Sequence, residues 1–340
     1  MKTLKTAVVG CGLFGENHLR SYTDYARARC AAVHDLDRER ARAMAEKYGV
    51  EVADSLEDIA ADKTVKAVSV ATPDFAHTDI ALQLLEAGKH LLIEKPITTS
   101  AAEACQIVDL AAKKKRTVMV DFHNRWNPAF AQLKKRIDAG ELGQPVMAYA
   151  RLSNPLSIPF GMLSWSGRSG PQWFLYPHIV DIVRWLAGRP RALRVHAVGR
   201  KGVLQRRGCD AYDAIQATVT FEGCFATFET CWILPESWPN VIDFRVELVG
   251  EESTGQVVAT SQGLLFASKK RFETPFVTGL VEHEDMTSGW MLLPMRHFVD
   301  CVLEGRQPIA TAEDGLAATQ IIEGAIRSVE EGRIVEIDEV

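Results

Sequence analysis

The sequence predicts an α/β protein, with a doubly wound parallel sheet in its first third and a second, sheet-rich domain after it. Three observations predict this. Short β-rich runs alternate with helical patterns up to about residue 120; a glycine triplet, Gly10, Gly12 and Gly15, joins the first strand to the first helix; and beyond Asn127 the texture changes to alternating, strand-like runs. The 340 residues, 47% of them hydrophobic and 24% charged, suffice for two domains with sizeable cores.

In the first third, strand-like runs fall at 6–9, 30–34, 66–71, 90–93 and 117–120, and helical patterns at 14–28, 38–47, 75–87 and 101–114. Gly88 ends the third helix, and Ser100 with Glu103 predicts a capping box at the start of the fourth. Asn127 followed by Pro128 is an N-cap with proline at the first helical position, so a helix runs to about Ala139 and stops at Gly140. The run PVMAYARLS (145–153) reads as a strand, and 215–234 as a pair folding at Glu222 and Gly223. Further strands are expected at 244–249 and 255–266, helices at 291–303 and 312–330, and a short strand at 334–337. The boundary falls between Asp121 and Asn127, giving domains 1–122 and 123–340, with the C-terminal helix free to pack back on the first domain.

Composition excludes several classes. The formal charge of −5 comes from interspersed acids and bases, which argues against nucleic-acid and membrane-surface partners. The one basic run, Lys113 to Arg116, follows a helical pattern and suits a helix C-terminus. Seven scattered cysteines without a Cys-x-x-Cys pair suggest reduced thiols and argue against a zinc site, so no metal is expected. The apolar start is broken by glycines and Glu16, and no stretch reaches the ~18 apolar residues of a membrane span, so a cytoplasmic protein is expected.

The segment AVVGCGLFGENH places Gly10, Gly12 and Gly15 in a G-x-G-x-x-G after the first strand, with Leu13 and Phe14 opening the helix. The first glycine permits a tight turn, the second a close approach of backbone amides to a pyrophosphate, and the third close helix–strand packing. The helix N-terminus then faces the phosphates. Asp35, at the end of the second strand, is placed to accept both ribose hydroxyls, which favours NAD over NADP; Arg38 keeps NADP open. Helix capping is the competing role for Asp35 and for Asp37.

Ala71, Thr72 and Pro73 end another strand on the rim where open α/β sheets bind ligands, a position that suits the nicotinamide side. His77 follows in the first helical turn, either touching the cofactor or packing. Glu94, Lys95 and Pro96 end the next strand in IEKP on the same rim. Burying such charges is expensive, and either an ion pair or a ligand must compensate. A desolvated lysine beside a nicotinamide would hold a substrate hydroxyl and take its proton.

The ordered set GCGLFG, ATPDFAH, LLEAGKHLLIEKP, NRWNPAF, HIVDIVRWLAG and RHFVDCVLEGRQP with EDGLAA resembles the Gfo/Idh/MocA oxidoreductases, the glucose-fructose oxidoreductase and inositol dehydrogenase relatives, over nearly the whole chain. The resemblance implies a Rossmann domain and an α/β domain whose large, mostly antiparallel open sheet often forms the interface of a homodimer or homotetramer. It also implies NAD(P)-dependent hydride transfer at a sugar, sugar-acid or cyclitol hydroxyl carbon, a catalytic Lys95 and a cis peptide before Pro96.

The second signature of such proteins reads Asp-x-x-x-His with a further Asp three residues on. This chain supplies His178 and Asp181, but Phe174 occupies the first position. The implied acid/base pair is thus Lys95 with His178, alone or helped by Tyr176, Asp181 or a substrate group. Trp165, Arg168, Trp173 and Tyr176, with Asn124, Arg125 and Trp126, form the candidate substrate surface. Aromatic faces suit sugar C–H faces and an arginine suits an anion, while core filling and a solvated loop charge are the alternatives. A redox-assisted glycoside-modifying enzyme and a catalytically silent nucleotide-binding regulator are the competing functions on this fold.

Overall fold

Ala67–Val70 is buried along its whole length, as is Leu91 to Ile93, as strands covered by helices on both faces must be. They belong to a six-stranded parallel sheet formed by β1 (Leu4–Val9), β2 (Ala28–His34), β3 (Glu51–Val52), β4 (Ala67–Val70), β5 (His90–Ile93) and β6 (Val118–Val120), in the order β3-β2-β1-β4-β5-β6. The order reverses between β1 and β4, the switch point where such sheets bind ligands at their carboxyl edge. Helices α1 (Leu13–Thr23), α2 (Arg38–Tyr48), α3 (Leu56–Ala61), α4 (His77–Glu86) and α5 (Ala101–Lys114) make the crossovers.

The computed structural model describes residues 2–163, 165–261, 263–269, 272–275, 277–284 and 286–340. Its first unit is Met1–His123 with Glu282–Leu316; its second is Asn124–Val281 with Ala317–Val340. Residues 282–316 therefore group with the parallel sheet, in contrast to a division at 122/123 that leaves them in the second domain. The cause lies in helix α9 (Leu293–Glu304) and the turn before it. Ser21 donates to the Leu292 carbonyl at 2.9 Å, and Tyr25 and Arg27 both donate to Asp300 at 2.7 Å. Phe298 and Val299 are completely buried.

In the second unit, Asn127 caps α6 (Pro128–Asp138) by accepting from the Ala129 amide. The following elements are β7 (Pro145–Ser153), α7 (Pro171–Phe174), α8 (Tyr176–Leu186), β8 (Ala192–Arg200), β9 (Ala214–Phe221), β10 (Phe225–Cys231), β11 (Asp243–Gly250) and β12 (Thr254–Val258). They form a seven-stranded sheet, β12-β11-β7-β10-β9-β8, closed at one edge by Val335–Glu336 after the long helix α10 (Ala312–Glu331). The β7–β10 pair is parallel and the rest antiparallel. Ile215, Ala217, Val219 and Phe221 alternate onto the buried face, and every residue of α8 is buried.

Several expected elements differ. The first helix stops at Thr23, short of the expected 28, and the third starts as a 3₁₀ turn before His77. Ser100 makes no side-chain cap: the Glu103 carboxylate instead accepts from Thr78 and Thr98 hydroxyls at 2.6 and 2.7 Å. The run 255–266 splits into β12 and Phe266–Ala267, and Gln262 within it lies outside the described residues. β3, α3 and β8 have no counterpart among the expected elements. Among the described residues, no helix is long and apolar enough to cross a membrane.

Phe298→Ala should cost about 3–5 kcal/mol of unfolding free energy, the usual penalty for emptying an aromatic core site. Denaturant unfolding of the variant against the parent checks this.

Candidate active site

The glycine turn has the geometry of a phosphate cradle. Gly10 has φ 96°, and a Cβ there would meet the Ala71 carbonyl oxygen at 2.4 Å; a Cβ on Gly15 would strike the Gly10 carbonyl oxygen at 1.8 Å. A Cβ on Gly12 would meet nothing within 4 Å, so the backbone beside the α1 N-terminus is open. That terminus, leading to Leu13 and Phe14, has no side-chain cap, which leaves its amides for an anion. Asp35 accepts from the Cys11 amide at 2.7 Å and the Asp37 amide at 2.8 Å, which fixes its carboxylate at the end of β2. The buried Thr72 hydroxyl finds no hydrogen-bond partner among the described residues, a polar atom on the switch-point rim that suits a bound group. These features fit a dinucleotide.

Two cofactor candidates are placed otherwise. Arg38 turns away to the Asp54 side chain and the carbonyls of Ala53 and Asp54; the arginine near Asp35 is Arg40, at 3.6 Å. His77 is buried as a strut, its ring nitrogens 2.8 Å from the Pro96 carbonyl oxygen and 2.9 Å from that of Thr72. It ties the β4 rim loop to the β5 rim loop and supports both from behind.

Glu94 and Lys95 follow β5 and are 5% and 6% exposed, with the Lys95–Pro96 peptide cis. Burial pushes the Lys95 amine below its ordinary range, against the pull of Glu94, Asp74 and Asp121. Its Nζ lies 5.8 Å from the centre of the Phe14 ring. The expected choice between an ion pair and a ligand as compensation has an internal answer that the sequence reading missed. His18, on α1, places Nε2 at 3.1 Å from Glu94 and 3.5 Å from Asp121, all three buried. Burial alone would raise the Glu94 carboxyl, but His18 and Lys95 hold it down; burial and the charge of Glu94 push Asp121 up.

In the second unit, His178 is 8% exposed on α8, and the Asn124 amide nitrogen lies 3.2 Å from its Nδ1. An amide nitrogen only donates, so Nδ1 accepts and the neutral ring carries its proton on Nε2. Asn124, from the turn before α6, thus supplies a support that the Phe174 position cannot. Phe174 instead packs among aromatics, 6.2 Å from Trp165 and 5.8 Å from Trp232 between ring centres.

Other substrate candidates are committed to the fold. Arg125 and Asp181 form a buried bidentate pair, Nε to Oδ2 at 3.0 Å and Nη2 to Oδ1 at 2.5 Å, pinning α8 to the turn that carries Asn124. Tyr176 donates to the Ile215 carbonyl at 2.8 Å, and burial pushes its phenol far above the ordinary value, so it anchors α8 to β9. Trp173 is buried; Trp126 and Trp165 are half-buried and Arg168 is exposed.

Residues 4–122 match the oxidoreductase family GFO/IDH/MocA, NAD-binding Rossmann fold, and residues 130–255 match its C-terminal domain. Inositol 2-dehydrogenase 1 of Saccharopolyspora erythraea is 31% identical over 99% of this chain and 97% of its own. The chain belongs to the GFO/IDH/MocA family. It is an NAD-dependent oxidoreductase. The scyllo-inositol 2-dehydrogenase (NAD(+)) of Bacillus subtilis is 26% identical over 98% of this chain and 96% of its own. The crystal structure of GenD2 from gentamicin A biosynthesis in complex with NAD superposes with TM-score 0.86, at 25% identity, covering 99% of this chain and 97% of that one.

Within this GFO/IDH/MocA chain, Gly15→Val should abolish NAD binding, since the side chain has no room against Gly10; a cofactor-fluorescence titration checks it. Asp181→Asn should cost about 3–5 kcal/mol by stranding the Arg125 charge, whereas the double replacement Arg125→Met with Asp181→Leu should restore most of that stability. Chemical denaturation of the three variants reads the difference.

Proposed function

We propose that the protein oxidises a secondary hydroxyl of an inositol-type cyclitol, or reduces the corresponding ketone. The observation that carries this reading is Lys95, a desolvated amine at the carboxyl end of β5, beside the switch point of an NAD-binding sheet. The names of the relatives support the cyclitol ring as substrate class. Gly10, Gly12 and Gly15 with the Leu13 and Phe14 amides would hold the pyrophosphate, Asp35 the ribose, and Ala71, Thr72 and Pro73 the nicotinamide end. NAD, when bound, supplies the hydride acceptor.

The chain's own residues handle the proton. Lys95 in its neutral form accepts the hydroxyl proton as the carbon loses its hydride, and the ammonium so formed has Glu94 as counter-charge. His178, with Nδ1 occupied by Asn124, donates from Nε2 to the substrate oxygen and orients it. Because the accepting form of Lys95 is the deprotonated one, oxidation accelerates as pH rises through its lowered pKa and reduction slows.

Exposed Met147, Val198, Phe225 and Val258 on the seven-stranded sheet support homo-oligomer formation through that face, as a dimer or tetramer. A screen of myo-inositol, scyllo-inositol, aldoses and sugar acids with NAD, read by absorbance of the reduced cofactor, tests the substrate class. Inositols should turn over best; turnover confined to open-chain or acidic sugars would refute the cyclitol reading. Lys95→Met should leave NAD binding intact and lower kcat by roughly 10²–10⁴-fold. Undiminished turnover by that variant would sink the assignment.

A further inference from the structure

Four elements of the first unit converge on one imidazole that the reaction as described does not use. His18 projects from α1 with 1% of its surface exposed. Its Nδ1 lies 2.9 Å from the Ser69 hydroxyl on β4, which is held in turn by the Tyr22 hydroxyl at 2.6 Å. Its Nε2 faces Oε1 of Glu94 after β5 at 3.1 Å and Oδ2 of Asp121 after β6 at 3.5 Å. A nitrogen between two carboxylate oxygens must carry a hydrogen, and the serine contact on the other nitrogen prevents the ring from turning over. The second oxygen of Glu94 accepts from the Lys95 amide at 3.3 Å.

We propose that His18 is a positioning residue for Lys95, acting through Glu94: its ring fixes the orientation and the ionised state of the carboxylate that serves the catalytic amine. The inference rests on Lys95 being the proton-handling group. Any buried histidine needs a partner at each ring nitrogen; what ties this one to the lysine is that the carboxylate it holds also accepts from the Lys95 amide. The groups facing the pair from every side are Glu94, Asp121, His123 and Tyr22 around His18, and Glu94, Asp74, Asp121, His123 and the Phe14 ring around Lys95.

Burial works to lower the His18 pKa, but the hydrogen bonds and charges of Asp121 and Glu94 outweigh it and push it up to about 9. The ring is therefore an imidazolium at neutral pH, and its hydrogen bond and charge are the largest of the influences, ahead of the Lys95 and His123 charges, that keep Glu94 ionised without solvent. If the imidazolium is removed, Glu94 takes up a proton in its desolvated site. Lys95 then loses the negative charge that raises its pKa, while its own desolvation remains. The sign follows: Lys95 should titrate lower without His18, not higher.

Lysine side chains isotopically labelled at Cε report this directly by NMR, with Lys95→Met identifying the signal. In His18→Gln the Lys95 midpoint should fall by about one pH unit or more, Glu94→Gln should produce a similar fall, and the double variant should fall no further. An unchanged midpoint in His18→Gln, or falls that add in the double variant, would overturn the proposal. If His18→Gln loses NAD binding and thus its fold, Ser69→Ala frees the ring instead. A smaller fall in the same direction is then expected, and an unchanged midpoint would overturn the proposal equally. Normal turnover by Lys95→Met would instead remove the assignment of Lys95 as base, without altering what the titration says of His18.

Discussion

Keeping ionised groups at the carboxyl ends of β5 and β6 away from water is the constraint on which the first unit depends. The strands end in Glu94, Lys95 and Asp121, each nearly inaccessible. Isolated, any one of them would neutralise or drag water inward. With His18 they form one cluster in which the imidazole faces the carboxylates of both Glu94 and Asp121, and that ring stands on α1, the same helix whose N-terminus faces the phosphate cradle. Cofactor seat and lysine are thus braced by a shared element.

The second unit solves a different problem, holding one imidazole steady on a helix with no free face. Tyr176 ties α8 to the sheet and the Arg125–Asp181 fork ties it to the turn before α6. That turn also brings Asn124 to the ring. The aromatic side chain at 174 joins Trp165 and Trp232 in an apolar cluster instead of reaching the histidine, so the ring is supported by an amide where an aspartate at 174 would offer a carboxylate. The exchange matters chemically. A carboxylate accepts a hydrogen bond from Nδ1–H and leaves Nε2 as a base, whereas an amide donor leaves Nε2 as the protonated nitrogen. His178 is thereby left as a hydrogen-bond donor at Nε2.

Much of this was legible in the chain because it is local. Glycine spacing, the acid at the end of β2 and the strand-ending IEKP are short-range patterns whose geometry follows from a strand–turn–helix unit. The long-range pairings were not. His18 sits within a helical pattern like any buried residue, and nothing nearby announces that Glu94 and Asp121, far along the chain, will meet it. Arg125 and Asp181 read as polar residues near a site because sequence shows charge but not partner. β3 and β8 escaped for another reason: two residues carry no period, and the outward positions of Ala192–Arg200 make it look like a polar loop.

The complete burial of α8 divides the second unit into stiff and pliable parts. Any exchange along Tyr176–Leu186 must be accommodated by neighbours packed at interior density, so most substitutions there are lost to instability before chemistry is affected. The turns at Ile158–Met162 and Ser166–Arg168 are built differently, with Phe160, Gly161 and Met162 open to solvent. A random library of this chain should therefore yield its surviving diversity in those turns, around a helix that stays almost invariant.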